Sequence, residues 1–217
     1  MTVRGALVAG GTGAVGRALL PLLAADQEHW TACAWGRRPA GVAGVLDIVG
    51  DLATAQLPKS DVAFCALGTT RKQAGSDAAF RAVDFDLVMA FAAAAHAAGA
   101  QTLVLVSSAG VSARAPGNYL RVKWEVESAL CSAVSTPAGY STLIIVRPSL
   151  LLDDRPGRPG EQLAVNVSRF LAPVLSWLPA RGIEVRTLAR AMKRLAEHAD
   201  PGVRVVENAE LHQLGAD

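Results

Sequence analysis

The sequence predicts an α/β protein built on a doubly wound parallel sheet with a small C-terminal cap. Short apolar runs alternate with longer helical patterns along the first 150 residues, which is typical of repeated βαβ units. The composition agrees, because 51% of the 217 residues are hydrophobic and only 18% are charged. Such a chain suits a sheet that helices bury on both faces. A third observation is a glycine-rich turn directly after the first apolar run.

Six strands are predicted before residue 150 from their short apolar runs, at 6–9, 31–35, 45–49, 62–66, 102–106 and 142–146. Three longer helical patterns lie between them, at 14–25, 77–98 and 119–133. Weaker helical signals occur between the second and fourth strands. Because strands and helices alternate, the strands are expected to run parallel.

The chain after residue 150 predicts a lid and a cap. The stretch "DDRPGRPG" at 153–160 is rich in helix breakers and has no periodicity, so it is either a linker or a substrate lid, and we favour the lid. Helices are predicted at 162–178 and 187–198, and a short last strand at 203–206. These residues are too few for a second domain. We therefore predict one domain over 1–217, in which 151–217 form a lid loop and a small substrate-side cap.

The charge and cysteine content exclude several classes of partner. Lys and Arg number 21 against 19 Asp and Glu, so the near balance favours neither nucleic acid nor membrane as a partner. The three cysteines and four histidines show no metal-ligand spacing, and no metal is expected. Unpaired cysteines fit a reducing compartment, and a cytoplasmic location is predicted. Glycines and Arg17 interrupt the N-terminal apolar run, so no secretion signal is expected.

The stretch "LVAGGTGAVG" leads from the first strand into the first helix. Its glycines satisfy both a three-residue repeat at 10, 13 and 16 and the G-x-G-x-x-G spacing at 11, 13 and 16. Such glycines permit a tight turn, a close approach of backbone to pyrophosphate, and close packing of helix on strand. A plain glycine turn is the other interpretation. Dinucleotide binding in a Rossmann fold is the interpretation that we favour, through Gly10, Thr12, Gly13, Ala14, Val15 and Gly16.

The end of the second strand indicates which dinucleotide is preferred. An NAD site would carry an acidic residue there, but the sequence reads "AWGRRP". Arg37 and Arg38 suit a ribose 2′-phosphate and stacking on adenine, although an exposed basic turn would read the same. NADPH is therefore predicted in preference to NADH. After the third strand, Asp51, beside Leu52, would either accept from the adenine amino group or cap a following helix.

Tyr119 and Lys123 are four residues apart at the start of a predicted helix. That spacing places them on one face of the helix. A neighbouring cation favours the charged form of a tyrosine, which suits an acid/base group. A surface tyrosine beside a basic residue has the same spacing, so this pair needs support from other residues.

Several stretches together resemble the atypical short-chain dehydrogenases/reductases, and among them the Tat-interacting-protein-like subgroup. They are "GGTGAVG", "GRRP", "FCALGTTRKQAGS", "VDFD", "LVLVSSAGV", "YLRVKWEVE" and "RPSLLL". Their order and spacing match that family most strongly over residues 3–152.

The resemblance implies a role for three side chains. Ser108, with Ser107 as its close competitor, would bond the substrate carbonyl, and Tyr119 would donate a proton to its oxygen. Lys123 would hold the nicotinamide ribose and favour the phenolate. The asparagine of the proton relay in other members is not found, and Asp84 lies near its place. That departure puts the relay in doubt.

The resemblance also implies cofactor contacts from two loops. One follows the fourth strand and contains Ala66, Leu67, Gly68 and Thr69. The other follows the sixth strand and contains Arg147, Pro148 and Ser149. Arg147 as a buried structural charge is an equally good interpretation.

Two functions are consistent with these residues. The first is an NADPH-dependent reductase that transfers a hydride to a small carbonyl-type or quinone substrate. The second is an NADPH-binding sensor or protein-interaction module without physiological turnover. The presence of Ser108, Tyr119 and Lys123 together favours the enzyme. The short C-terminal part argues against a large nucleotide-sugar substrate, and the sequence indicates neither a protein partner nor an oligomeric state.

Overall fold

The structure is a computed structural model that describes residues 3–134, 136, 139–153 and 182–216. The strands of the described part are β1 (Arg4–Ala9), β2 (Trp30–Gly36), β3 (Val45–Val49), β4 (Val62–Cys65), β5 (Thr102–Val106), β6 (Thr142–Arg147), β7 (Leu151–Leu152), β8 (Ile183–Glu184) and β9 (Gly202–Glu207). The helices of the same part are α1 (Ala14–Ala24), α2 (Arg71–Ala74), α3 (Asp77–Arg81), α4 (Val88–Ala97), α5 (Asn118–Ala133), α6 (Val185–Glu197) and α7 (Asn208–Leu214). A π-helical segment, Ala82–Leu87, joins α3 to α4.

Seven of these strands form one parallel sheet in the order β3-β2-β1-β4-β5-β6-β9. The strand order reverses between β1 and β4, which pair directly through Ala6 with Val62 and Ala9 with Cys65. Ligands of doubly wound sheets bind at such a reversal, beyond the carboxyl ends of the strands. The doubly wound prediction is confirmed, and all six predicted strands are present.

Apolar side chains cover both faces of the sheet. On one face α1 and α6 share a core with the strands, to which Leu19 and Leu188 contribute fully buried side chains. On the other face α4 and α5 pack through residues such as Phe91 and Val126. This two-sided burial explains why the strands read as continuous apolar runs.

The helix predicted over 77–98 is divided. Its first turn is α3, which Ser76 caps by accepting a hydrogen bond from the Ala79 N–H at 3.1 Å. The π-helical segment follows and α4 completes the stretch. The buried positions Phe80, Asp84 and Val88 are four apart, so a carboxylate lies within an otherwise apolar stripe.

The described residues after 181 belong to the main fold. The helix predicted over 187–198 is α6, and it shares the core of α1. The strand predicted over 203–206 is β9, which extends the sheet by pairing with β6. Hydrophobic burial accounts for this placement, because α6 buries apolar side chains along its length, including Met192 and Leu195. The predicted lid at 153–160, apart from Asp153, and the predicted helix at 162–178 lie outside the described residues, so only this part of the predicted cap stays a prediction.

Candidate functional site

The glycine-rich turn joins β1 to α1 at the reversal point of the sheet. Gly10 has a positive φ of 84°, and a Cβ there would lie 2.4 Å from the Ala66 carbonyl oxygen. The Gly13 N–H donates to the Gly10 carbonyl at 2.9 Å and closes the turn. Gly13 also caps α1 without any side-chain hydrogen bond. The first N–H groups of α1 are therefore available to an anion.

The three glycines of the repeat have different surroundings. A Cβ on Gly16 would lie 2.3 Å from the Gly10 carbonyl oxygen, so α1 packs directly on the turn. A Cβ on Gly13 would meet only that oxygen, at 3.2 Å, and Gly13 is exposed. Packing therefore requires glycine at 10 and 16, and position 13 is open to a ligand. Thr12 and Ala14 are half-buried beside it, and the Val15 side chain lies in the core.

Gly16→Ala is expected to lower the free energy of unfolding by about 1–3 kcal/mol, because its methyl group would overlap backbone atoms that cannot move independently. Urea denaturation followed by circular dichroism measures this loss. Gly13→Ala is the matched control and should retain most of the stability. Equal losses in the two variants would contradict the assignment of Gly16 to helix packing.

Arg37 and Arg38 are exposed directly after β2. Within the described residues, neither guanidinium group has a hydrogen bond or an ion pair. The loop that carries them is held by Asp47 of β3, which accepts from the N–H groups of Ala40 at 2.8 Å and Gly41 at 3.0 Å. Asp47 is a supporting residue that the sequence reading missed, and its signal was a carboxylate inside an apolar strand.

Asp51 closes a local turn. Its Oδ1 accepts from the Ala53 N–H at 3.0 Å, and its carbonyl accepts from the Thr54 hydroxyl at 3.3 Å. Residues 52–54 form a turn and no helix. The predicted helix cap is therefore not formed, because Asp51 stabilises a turn with no helix after it, and the contact with the adenine amino group stays a prediction. Leu52 is half-buried and packs on the core beneath α4.

The loop after β4 passes between the glycine turn and α5. Its Ala66 N–H donates to the Ala9 carbonyl at 3.0 Å. Its Thr69 N–H donates to Asp84 Oδ2 at 2.8 Å. A Cβ on Gly68 would lie 3.5 Å from Asp84 Oδ1 and 3.8 Å from Lys123 Nζ. The structure thus brings the predicted cofactor loop against the predicted catalytic lysine. Leu67, between Ala66 and Gly68 in this loop, is half-buried.

Lys123 forms a buried ion pair with Asp84. Lys123 Nζ lies 2.9 Å from Asp84 Oδ1, and the two side chains are 7% and 0% exposed. Burial, the largest single influence, would lower the pKa of Lys123, but the neighbouring groups, first among them the Asp84 carboxylate, together raise this pKa above its ordinary value of 10.5. The lysine is therefore held as an ammonium ion. Asp84 occupies the region where the relay asparagine of other members was expected.

Tyr119 lies in the first turn of α5, one turn before Lys123. Its ring is half-buried and lies 5.6 Å from the ring of Phe80, at an interplanar angle of 44°. The predicted helical placement of the pair on one face of α5 is confirmed.

The two serines after β5 differ in their partners. The Ser107 hydroxyl donates to the buried Glu127 carboxylate. The Ser108 hydroxyl makes a longer bond, at 3.3 Å, to the carbonyl of its neighbour Ala109. Ser107 is therefore committed to the buried network, and Ser108 is the better candidate for a substrate contact.

Arg147 belongs to the same network. Its Nε donates to Glu127 Oε1 at 3.1 Å, its Nη2 donates to Oε2, and its Nη1 donates to Glu207 at 3.0 Å. These hydrogen bonds, first among them those to Glu127, raise the pKa of Arg147 above its ordinary value despite burial. The structure supports the interpretation of Arg147 as a structural charge. Glu127 was not identified from the sequence as a site residue. Its position four residues after Lys123, on the same face of the helix, was the feature that could have indicated it.

Pro148 and Ser149 tie neighbouring loops together. The Pro148 carbonyl accepts from the Ala109 N–H at 2.9 Å, next to the paired serines. The Ser149 N–H donates to the Asn208 side chain at 2.9 Å. The segment therefore links the loop after β5 to α7.

Neither a metal cluster nor a membrane helix is found in the described part of the chain. None of its groups of His, Cys, Asp or Glu has three or more members placed to hold a metal ion. None of its helices has the length and apolar character that crossing a bilayer requires.

Residues 10–166 match a family described as NAD(P)H-binding. The rat protein HTATIP2 is 37% identical over 159 residues, which cover 72% of this chain and 62% of the rat protein. The mitochondrial protein FMP52-1 of Scheffersomyces stipitis is 31% identical over 225 residues, which cover 96% of this chain and 97% of the yeast protein.

Among solved structures, MoeE5 in complex with UDP-glucose and NAD superposes with a TM-score of 0.70 at 19% identity, covering 98% of this chain and 81% of MoeE5. A short-chain dehydrogenase family protein from Francisella tularensis gives a TM-score of 0.69 at 14% identity, covering 96% of this chain and 99% of that protein. At these identities the two structures show the fold.

The predicted cytoplasmic location is contradicted by these relatives. FMP52-1 of Scheffersomyces stipitis and FMP52 of Meyerozyma guilliermondii, which is 32% identical over 98% of this chain and 95% of its own length, are both named as mitochondrial proteins. The prediction was wrong because unpaired cysteines indicate a reducing compartment without telling one such compartment from another.

The glycine turn fits a nicotinamide dinucleotide, since position 13 is open and the first turn of α1 has unpaired N–H groups. The family match and the fold agree with this geometry. The chain therefore belongs to the NAD(P)H-binding family, and its match to HTATIP2 agrees with the resemblance to the Tat-interacting-protein-like subgroup.

Proposed function

We propose that the protein is an NADPH-dependent reductase that acts on a small carbonyl-type or quinone substrate through Ser108, Tyr119 and Lys123. The observation that carries the proposal is the face of α5 on which Tyr119 precedes a buried ammonium by one turn. That face lies against the loop after β4, which itself contacts the glycine turn. Acid/base and dinucleotide-binding groups thus belong to one end of the sheet.

Each side chain has a role that its chemistry permits. When bound, NADPH supplies the hydride. Tyr119 donates a proton to the substrate oxygen, and Ser108 donates a hydrogen bond to the same oxygen. The Lys123 ammonium stabilises the phenolate that remains. Ser107 and Arg147 take no direct part, because Glu127 binds both of them.

The preference for NADPH rests on Arg37 and Arg38. Both are exposed at the end of β2, and the Asp47 bonds to the following loop hold their backbone in place. Planar guanidinium groups bind phosphate through paired, charge-assisted hydrogen bonds. No acidic residue lies at 36–39 to accept from a ribose 2′-hydroxyl.

Arg37→Ala together with Arg38→Ala is expected to weaken NADPH binding by about 10- to 100-fold, since each hydrogen bond to a charged group is worth roughly 1.5–3 kcal/mol. NADH binding should change little. Fluorescence titration of both nucleotides at fixed ionic strength measures the two constants. An equal loss for NADH, or no loss for NADPH, would refute the predicted selectivity.

Turnover itself is tested by following the absorbance change of NADPH oxidation across a panel of aldehydes, ketones and quinones with the wild-type chain. The reductase is supported if a substrate class is reduced and Tyr119→Phe removes that activity. If NADPH binds tightly and no member of a broad panel is reduced, the sensor or interaction module becomes the better hypothesis.

A further inference from the structure

Asp84 is a buried carboxylate with both oxygens engaged. Its Oδ1 lies 2.9 Å from Lys123 Nζ, and its Oδ2 accepts from the Thr69 N–H at 2.8 Å. The side chain is fully buried. One carboxylate therefore joins the helix of the Tyr119 and Lys123 pair to the loop after β4.

The position of Asp84 in its helix is unusual. It lies in the π-helical segment, where the preceding and following buried positions, Phe80 and Val88, are apolar. A carboxylate in such a stripe is costly to bury unless it is paired and hydrogen-bonded. Single π turns inside longer helices are frequent at functional sites. Both features indicate that Asp84 serves the site and not the packing.

Three groups act on the charge of Lys123. Asp84 faces it from the π-helical segment, the Tyr119 phenol from α5, and the Cys65 thiol from β4. Burial raises the pKa of Cys65 to about 11, so this thiol is neutral at physiological pH. Asp84 is thus the carboxylate that offsets the burial of the ammonium.

We infer that Asp84 is a positioning residue of this site, which fixes the Lys123 ammonium and the Thr69 backbone N–H on one buried carboxylate. The inference deepens the proposed reductase function and rests on it for the role of Lys123. It implies that the catalytic lysine and the loop expected along the cofactor are set in place together. A change at Asp84 therefore alters cofactor binding and the charge of Lys123 at once.

Asp84→Asn separates these effects from simple loss of volume. The amide has a similar shape but no charge and only one acceptor oxygen, so it cannot both form the ion pair with Lys123 and accept from the Thr69 N–H. Glu125→Gln is the matched control, because Glu125 pairs at the surface with Arg81, the last residue of α3, and so joins α5 to the helix just before the π-helical segment. It makes the same chemical change without touching the buried pair.

Two measurements test the inference, and neither needs turnover. NADPH affinity is measured by fluorescence titration, and the titration of Lys123 is followed by NMR of the labelled lysine side chains, assigned with Lys123→Met. Asp84→Asn is expected to weaken NADPH binding about tenfold and to move the Lys123 midpoint down by about one pH unit or more. Glu125→Gln should leave both unchanged. Unaltered values in Asp84→Asn, or equal losses in Glu125→Gln, would overturn the inference.

A double variant keeps the test decisive if Asp84→Asn folds poorly. Removing both charges in Asp84→Asn with Lys123→Met leaves no unpaired buried ion, so this chain is expected to fold. Its NADPH affinity should equal that of Lys123→Met within about twofold. A loss of NADPH affinity in the double variant equal to the sum of the losses in the two single variants would contradict a shared role. If the wild type binds NADPH but reduces nothing, the proposed function fails while these measurements still decide the role of Asp84.

Discussion

Tyr119→Phe is expected to lower turnover by about 10²- to 10⁴-fold, the usual contribution of a positioned general acid. The phenylalanine ring keeps the contact with Phe80, so the fold and the NADPH affinity should be retained. Initial rates of NADPH oxidation at saturating nucleotide, beside a fluorescence titration of NADPH, measure both quantities.

The chain provides a matched control in its other tyrosine. Tyr140 is buried, and its hydroxyl donates to the Ala92 carbonyl at 2.6 Å, in the core beneath α4. Tyr140→Phe removes the same atom and should cost about 0.5–1.5 kcal/mol of stability without lowering turnover. Comparable turnover in Tyr119→Phe and the wild type would remove Tyr119 from the chemistry.

Arg147→Met is expected to lower the free energy of unfolding by about 3–5 kcal/mol. The change leaves the buried Glu127 carboxylate without its cation. Removing one partner of a buried ion pair is among the substitutions that destabilise a folded protein most. Ser107 also loses the fixed position of its acceptor. Urea unfolding followed by circular dichroism gives the difference, provided that the transition remains two-state.

The double variant Arg147→Met with Glu127→Met should recover most of that loss, because apolar side chains of similar size can replace a buried pair. Arg204→Met, which breaks the exposed pair with Glu210, should cost no more than about 1 kcal/mol. A loss in Arg147→Met no larger than that in Arg204→Met would show that the network contributes little to stability.

The strands were predictable because parallel strands buried on both faces leave continuous apolar runs in the sequence. The interruption of the 77–98 helix was not, since residues in π-helical and α-helical turns have the same apolar pattern. Asp84 nevertheless has a recognisable feature in the sequence, since it is a charged residue between the apolar positions Phe80 and Val88. Hydrophobic periodicity counts only the apolar positions of a helix, so it gives such a charge no meaning.

The residues of the site also fall into those that the sequence predicts and those that it does not. The glycine turn and the Tyr119 and Lys123 spacing are local features, so their residues could be named from short stretches. The partners of Lys123 and Arg147 are not local, because Asp84 and Glu127 reach them only through packing of helices on the sheet. The family resemblance of the segment after the sixth strand therefore identified Arg147 but left open whether it was structural.

The pairing of β7 with β8 fixes the two ends of the connection between β6 and α6. Leu151 pairs with Ile183, and the Ile183 N–H donates to the Leu150 carbonyl at 2.8 Å, so the two ends of this connection lie side by side. Changing the length between such ends costs little loop entropy and leaves the register of the sheet intact.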